Sequence, residues 1–553
     1  MAVRHRPALR LCVPALAVLA VCGGLAAAPS PRFFADDPLA REPESRDAAK
    51  AQPADVGLLY DLSYNLFVVS GRTASNIPAR NINTIDEVPD SSWFTNRMLP
   101  ARLANADLVR GPNTGAPPEP ERWTIIREKS AGFAPGFTAK DANGETWFLS
   151  FDPPGHAEAS TAAMVVATKV FWALGYNQVE TFITRVDPRT LTIDPKATVK
   201  RPNGKRTPMK RDDVDAVLER AARHADGSYR AAAGRLLPGK VLGPFRYEGT
   251  RPDDPNDTVD HEHRRELRAL RVFGAWTNLT DLKAGNTLDT LVDVNGRSVL
   301  RHYLQDVGST FGVGANGPHD WDEGFEYFYE GATTMRRLLS FGFALSPWQT
   351  TRYTEYPSVG RFESDAFDPE TWKPHTPTPG YMELQPEDAF WAARRIAAFD
   401  DELIAALVHT GQFSDAAAEQ HLAAILRQRR DKIARVYLTS ANPIVNAALS
   451  PRGVLTFENA AVAARAADAP AGYASTWSLF DNDTGQSRPL GEGRGNRPEI
   501  DAPAPLPEGS GAIVQVDVRA EGAGPAAWQR PVHLFFRRSA SGWTLVGLDR
   551  GTR

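Results

Sequence analysis

Both cysteines of this 553-residue chain, Cys12 and Cys22, fall within its first 22 positions. Whatever follows them must be held together by an apolar core, because disulfide staples, cysteine-ligated zinc and cysteine nucleophiles are all out of reach. Hydrophobic residues make up 42% of the chain, and at this length they are expected to divide among two or three domains.

The same short stretch carries an address. Arg4, Arg6 and Arg10 precede an apolar run from Leu11 to Leu25, and Ala26, Ala27 and Ala28 close it. A basic start, a short apolar middle and small terminal residues are the three parts of a secretory signal. Residues 1–28 are therefore read as a signal segment, and the mature chain as exported, periplasmic or extracellular. The run is short for a spanning helix, and no later stretch is apolar enough to be one. A lipid anchor would require processing at Cys22, where Val21 is larger than the residue that position prefers. Losing three arginines and no acid takes the net charge from −4 to −7, against general nucleic-acid binding.

Residues 29–120 are rich in Pro, Asn, Asp and Ala and read as an irregular wrapping arm, with helix around Leu58 to Val69. From Trp123 the pattern turns to strands at 123–126, 137–139 and 147–149, the last two joined at Asn143-Gly144, a two-residue hairpin signal. Helices are expected at 157–174, 211–223, 260–275 and 386–409, with another capped by Ser414 or Asp415. After Gly453 short strands and Gly/Pro turns indicate a small β-domain. The alanine-rich text at 460–475 reads as a linker, which would make that domain separable.

Two short motifs carry the chemistry. The first is Asp281-Leu282-Lys283-Ala284-Gly285-Asn286, an Asp and an Asn five apart at the end of a helix. The second, twenty residues on, is Asp306-Val307-Gly308, after an alternating strand from Ser298 to Tyr303. Between them Thr290–Val292 and Ser298–Leu300 flank Asn295-Gly296, another hairpin signal. This arrangement resembles the catalytic loop and metal-binding turn of the protein-kinase superfamily, and the continuation Ser309-Thr310-Phe311-Gly312 is nearest in style to the secreted spore-coat type of atypical kinase. The resemblance implies that Asp281 is the base toward an acceptor hydroxyl, with Lys283 beside it in the catalytic loop. It likewise implies that Asn286 and Asp306 hold magnesium on the phosphates of ATP. The positions of the family's His and Arg hold Leu279 and Thr280.

In the small lobe, Gly132 and Gly136 lie where a glycine loop would cover phosphates, and Glu158 where the family's helix glutamate stands. The third-strand lysine is replaced by Ser150. A two-residue turn at Asn143-Gly144 would set Lys140 opposite Trp147 and Phe137 opposite Ser150, so that Lys140 and Ser150 point to opposite faces. Lys140 is thereby excluded and Lys129 becomes the candidate cation, a relocation for which one protein-kinase family supplies a precedent.

Two further stretches stand out in the sequence. The segment His319 to Tyr327 mixes acids and aromatics where kinases keep their substrate segment, and would suit a basic or sugar-like acceptor. His261-Glu262-His263 reads as polar packing, because adjacent helical positions face different ways.

The expected fold is α+β, a two-lobed protein-kinase-like core over 121–452 (small lobe 121–200, large lobe 201–452), with the arm before it and the β-domain at 453–553. The expected function is a phosphotransferase using Mg-ATP on an unidentified protein or small-molecule acceptor. The alternative, favoured by Ser150 and by the scarcity of ATP outside the cytoplasm, is a pseudokinase serving as a binding or scaffolding module of the envelope.

Overall fold

The computed structural model describes residues 31–129, 134–201 and 203–551; the signal segment and Gly132 lie outside them. An arm with α1 (Leu58–Phe67) and α2 (Asn105–Arg110) leads into β1 (Trp123–Glu128), β2 (Gly136–Lys140), β3 (Thr146–Phe151) and α3 (Ala159–Leu174). Then follow β4 (Thr181–Val186), β5 (Leu191–Lys200), β6 (Arg206–Pro208), α4 (Arg211–Leu218) and β7 (Tyr229–Arg235). These strands form one sheet in the order β4-β7-β3-β2-β1-β5-β6, antiparallel except for β1 on β5. The small lobe thus extends past position 200 to Arg235, because β7 inserts between β3 and β4.

Alternation builds this sheet: Trp123 and Ile125 of β1 and Trp147 and Leu149 of β3 are fully buried. Helix α3 is apolar nearly all round, as a helix enclosed on all sides must be. The β2–β3 turn is one residue longer than its Asn-Gly pair suggests. Lys140 pairs with Thr146 and Gly136 with Ser150. Asp141 accounts for the change, its Oδ1 accepting from the backbone N–H of Asn143 and Glu145 (3.0 and 2.9 Å) and its Oδ2 from Trp147 Nε1 (3.1 Å). Only Gly144 of the turn takes a positive φ, 83°, as in a three-residue loop.

The larger half contains β8 (Lys240–Gly243), α5 (Arg265–Thr277), β9 (Thr287–Val294), β10 (Arg297–Leu304), the short pair β11 (Val313–Gly314) and β12 (Gly317–Pro318), α6 (Gly331–Leu339), α7 (Pro379–Met382), α8 (Pro386–Ala397), α9 (Asp401–His409) and α10 (Ala416–Tyr437). The helix expected over 386–409 is two, because Asp400 starts α9 by accepting from Leu403 N–H at 2.7 Å. The helix expected from 260 begins as a 3-10 turn at His261–His263 and becomes α5 only at Arg265. At β9–β10 the Asn295-Gly296 pair makes the two-residue turn, both residues at positive φ and Val294 facing Arg297.

A buried ionic network ties the arm to this half. Arg265 and Arg268 of α5 share Asp388 of α8 (2.9 and 3.2 Å), Arg265 also pairs with Asp86, and Arg264 with Glu42. Burial alone would depress the arginine pKa of Arg265, yet Asp86 and Asp388 hold it above its ordinary value.

The C-terminal part comprises β13 (Ile444–Leu449), β14 (Val454–Asn459), α11 (Ala460–Ala463), β15 (Gly472–Phe480), β16 (Ser487–Gly495), β17 (Glu499–Asp501), β18 (Ile513–Glu521), β19 (Val532–Ser539) and β20 (Gly542–Asp549), in two sheets. Its apolar interior, with Trp477, Val516 and Phe536, is continuous with that of α8 and α10. Asn442 donates to the carbonyls of Val518, Trp528 and Arg530, and Arg550 lies over the Phe390 ring, 4.4 Å to its centre. The stretch read as a linker carries α11, whose Ala460 and Ala461 are buried. One interior predicts one cooperative unit. Protease cleavage introduced between 464 and 472 is expected to unfold α8 and α10 along with the β-sheets, and two fragments with separate thermal transitions would refute this.

Candidate active site

Helix α5 ends at Asn278, a C-cap in the left-handed region (φ 56°). Leu279 and Leu282 beyond it are buried in the core and clamp the chain on either side of Asp281, which stays partly exposed. Lys283 Nζ donates to Asp281 Oδ2 at 2.5 Å. A 3-10 turn, Ala284–Asn286, then closes the loop, with Asn286 Nδ2 donating to the Asp281 carbonyl at 2.9 Å.

The β9–β10 hairpin returns the chain to the same point. Asp306 N–H donates to the Asn286 carbonyl (3.1 Å), Thr280 N–H to that of Ser309 (3.3 Å) and Phe311 N–H to that of Thr277 (2.8 Å). The two loops are thereby laced together, which brings the backbone at Asp281, Asn286 and Asp306 close in space. Asp306 Oδ1 accepts from Gly308 N–H at 3.0 Å. Among the described residues neither Asp306 Oδ2 nor Asn286 Oδ1 has a hydrogen-bond partner. Oxygens of this kind, one from a carboxylate and one from an amide, are of the type a hard cation such as magnesium takes.

Lys129 approaches from the end of β1, its Nζ 3.2 Å from Ser150 Oγ. Burial lowers its pKa, and the charge of Asp306 opposes that shift. Among the described residues no carboxylate lies within ion-pair distance of it. Gly136 has a role other than covering phosphates: a Cβ there would meet the Leu149 carbonyl oxygen at 2.2 Å and Lys129 Cδ at 3.3 Å. Its missing side chain gives Lys129 a path to Ser150. The parity exclusion of Lys140 fails, since Lys140 faces Thr146 and shares a face with Ser150. Distance excludes it instead, because four residues of strand, about 13 Å, separate it from Gly136.

Glu158 does not meet Lys129. It occupies the N-cap of α3 with φ 71°, and its Oε2 accepts from Ser414 N–H at 2.9 Å, between α9 and α10. Its charge acts on Arg230 of β7 and not on Lys129.

Four further side chains, those of Thr280, His319, Glu323 and Asp61, surround the 281–286 loop. Thr280 donates its hydroxyl to Glu323, and buried His319 lies 3.0 Å from Ser309 Oγ and 3.3 Å from Asn278 Nδ2. Burial depresses His319. From the arm, Asp61 Oδ2 accepts from Ala284 N–H at 3.4 Å, and burial raises its pKa. His319 and Glu323 belong to the segment singled out in the sequence, whereas nothing around Asp61 marks it. A cavity of about 560 Å³ adjoins this network, lined by Asn278, Glu323, Tyr327, Glu363, Trp372 and Lys373 among others. The group Asp260, Glu262 and His263, close enough together to share a cation, stands apart. Its Glu262 accepts from Gly249 N–H, and His263 Nδ1 lies 2.6 Å from Arg268.

No protein-family model matches the chain, and no curated protein does. Two solved structures of the Golgi casein kinase, one with Mn and ADP bound, are similar at 10% and 12% identity. Each has a TM-score of 0.29 and covers 57% of this chain and 72% or 71% of its own. A TM-score that low supports no inference here. The chain's own geometry is an α+β fold: a seven-stranded sheet backed by a helix, then a helix-end loop at 281–286 and the turn at 306–308, laced together across the β9–β10 hairpin.

Proposed function

We propose that this chain is an exported phosphotransferase that moves the terminal phosphoryl group of ATP to a hydroxyl acceptor, a protein or a small molecule. The observation that carries the reading is Lys129, a partly buried amine with no carboxylate partner among the described residues, held on Ser150 with Asp306 as the nearby charge. A partly buried cation whose nearby opposite charge, Asp306, lies beyond ion-pair distance is stabilised when an anion joins it, and the α- and β-phosphates are such an anion. Asn286 and Asp306 would hold magnesium, which supplies charge neutralisation on the phosphates. Asp281 takes the acceptor proton, and Lys283, on its other oxygen, orients it. The 560 Å³ cavity beside Glu323 is the candidate acceptor site. Export rests on the signal-like start, and no helix among the described residues is long and apolar enough to cross a membrane.

Titration with a fluorescent ATP analogue and magnesium tests the reading. Lys129→Met is expected to weaken binding about tenfold or more, because one charge-assisted contact contributes roughly 1.5–3 kcal/mol. Lys140→Met should change little. Ser150→Lys in the Lys129→Met chain should restore binding, since position 150 reaches the same point. Undiminished affinity in Lys129→Met would refute the role. One observation favours a pseudokinase instead: Glu158 is engaged by Ser414 rather than by the lysine. That alternative requires nucleotide binding with no transfer to any acceptor.

A further inference from the structure

Among the described residues, the most exposed large apolar side chains gather around two helices. Helix α1 turns Leu59, Tyr60 and Phe67 to solvent. Helix α6 does the same with Met335, Leu338 and Leu339, and the loop after it projects Phe341 and Phe343, 91% and 87% exposed. Phe67 of α1 and Tyr329, two residues before α6, have ring centres 5.2 Å apart and set the two exposed groups side by side. Soluble proteins rarely present a contiguous apolar surface of this kind without an occupant.

Charge indicates which occupant. The segment 331–354 contains three arginines and no Asp or Glu, within a chain of net charge −4. Arg337 is paired with Glu326, and the neighbouring Glu330 with Lys373. Arg336 and Arg352 are exposed and have no carboxylate partner among the described residues. Leucines and phenylalanines beside free arginines are the composition of a helix lying in a membrane interface. The projecting rings suit insertion among acyl chains, where no matched surface is needed, better than a fitted protein interface, which packs as densely as a protein interior. Phe341 also takes a left-handed backbone (φ 50°), held by Gly342 N–H on the Arg337 carbonyl, at a position that ordinarily selects glycine.

We infer that α1, α6 and the 340–345 loop form a seat on an anionic lipid surface. Leu58 of α1 lies against the catalytic loop, 3.4 Å from where a Cβ of Gly285 would stand. A seated chain therefore carries Asp281 near headgroup level. That the acceptor hydroxyl is presented there rests on the phosphotransferase reading; the seat does not.

The absence of cysteine after position 22 makes the test direct. In the full chain with Cys12→Ser and Cys22→Ser, Phe343→Cys carries an environment-sensitive fluorophore, and Ala540→Cys in the C-terminal β-sheet part carries it as control. With vesicles of mixed phosphatidylcholine and phosphatidylglycerol, the emission at 343 is expected to shift to the blue, and that at 540 to stay. Arg336→Gln and Arg352→Gln should each weaken the response about fivefold, the share of one basic residue near an anionic surface. Phe341→Ser should weaken it about tenfold or more, the cost of one ring left out of the apolar phase. An unshifted probe at 343 overturns the proposal, as do equal shifts at 343 and 540. So does a shift that rises with protein concentration without lipid, which would make a second copy the occupant. None of these readouts depends on nucleotide, so failure of the seat and failure of the phosphotransferase reading are told apart.

Discussion

Asp281→Asn is expected to lower phosphoryl transfer by about a hundred- to ten-thousandfold, the usual contribution of a positioned base, and to leave nucleotide affinity unchanged. Asp306→Asn is expected to abolish magnesium-dependent nucleotide binding. The two carboxylates differ because of what holds them. Asp281 is fixed by its neighbours Leu279 and Leu282 in the core, with Lys283 on one oxygen and no hydrogen-bond partner on the other among the described residues. Asp306 is fixed by its backbone bond to Asn286, keeps one oxygen on Gly308 N–H, and faces the side from which Lys129 comes. A metal-binding carboxylate made neutral loses the cation and with it the phosphates; a base made neutral loses only its proton acceptance. Titration of ATP with and without magnesium, beside a transfer assay once an acceptor is found, separates the two. Equal loss of binding in both variants would sink the assignment of separate roles. Retained binding in both would remove Asp306 from the metal site.

Asp388→Ala is expected to destabilise the chain by about 3–5 kcal/mol, the range for breaking a buried ion pair by removing one partner. Asp388 is buried and serves three groups at once: Arg265, Arg268 and, at the start of α8, the N–H of Gln385 at 3.1 Å. Without it two guanidinium groups share an apolar interior with one fewer carboxylate, although Arg265 retains Asp86. Asp388→Asn keeps the shape and an acceptor for Gln385, and should cost less. Urea unfolding midpoints measure both. A loss below about 1 kcal/mol would mean that water enters and solvates the arginines, placing the pair among weak surface contacts.

How much of this was legible beforehand differs from residue to residue. Sequence spacing located the loop at 281–286 and the turn at 306–308, and the alternation from Ser298 to Tyr303 located the strand between them. That the two loops would be laced by Thr280–Ser309 and Phe311–Thr277 bonds was not legible, since neither pair carries a local signal. The role of Asp388 was invisible for the same reason: a charged residue in a first helical turn looks like a cap until α5 is seen packed against it. The small lobe's true end at Arg235 depended on where β7 inserts, which strand propensity cannot say.

The Asn-Gly dipeptide occurs at both hairpins and divides the two kinds of information. At Asn295-Gly296 the two-residue turn forms as the dipeptide favours, with both residues left-handed, and the carboxylate of Asp293 accepts only one backbone N–H there, that of Gly296 at 3.1 Å. At Asn143-Gly144 the carboxylate of Asp141 captured two backbone N–H groups and lengthened the loop by one residue. Side chains alternate faces with a period of two, so that single residue put Lys140 on the face of Ser150 rather than opposite it. Sequence by itself determined the apolar core without disulfides, the run of β1, β2, β3 and α3, and the five-residue spacing of Asp281 and Asn286, but not β4 to β8. Tertiary structure alone decided which lysine reaches Ser150, where Glu158 points and which carboxylates face the buried arginines. Those depend on strand register and on contacts between residues hundreds of positions apart, and no local pattern encodes either.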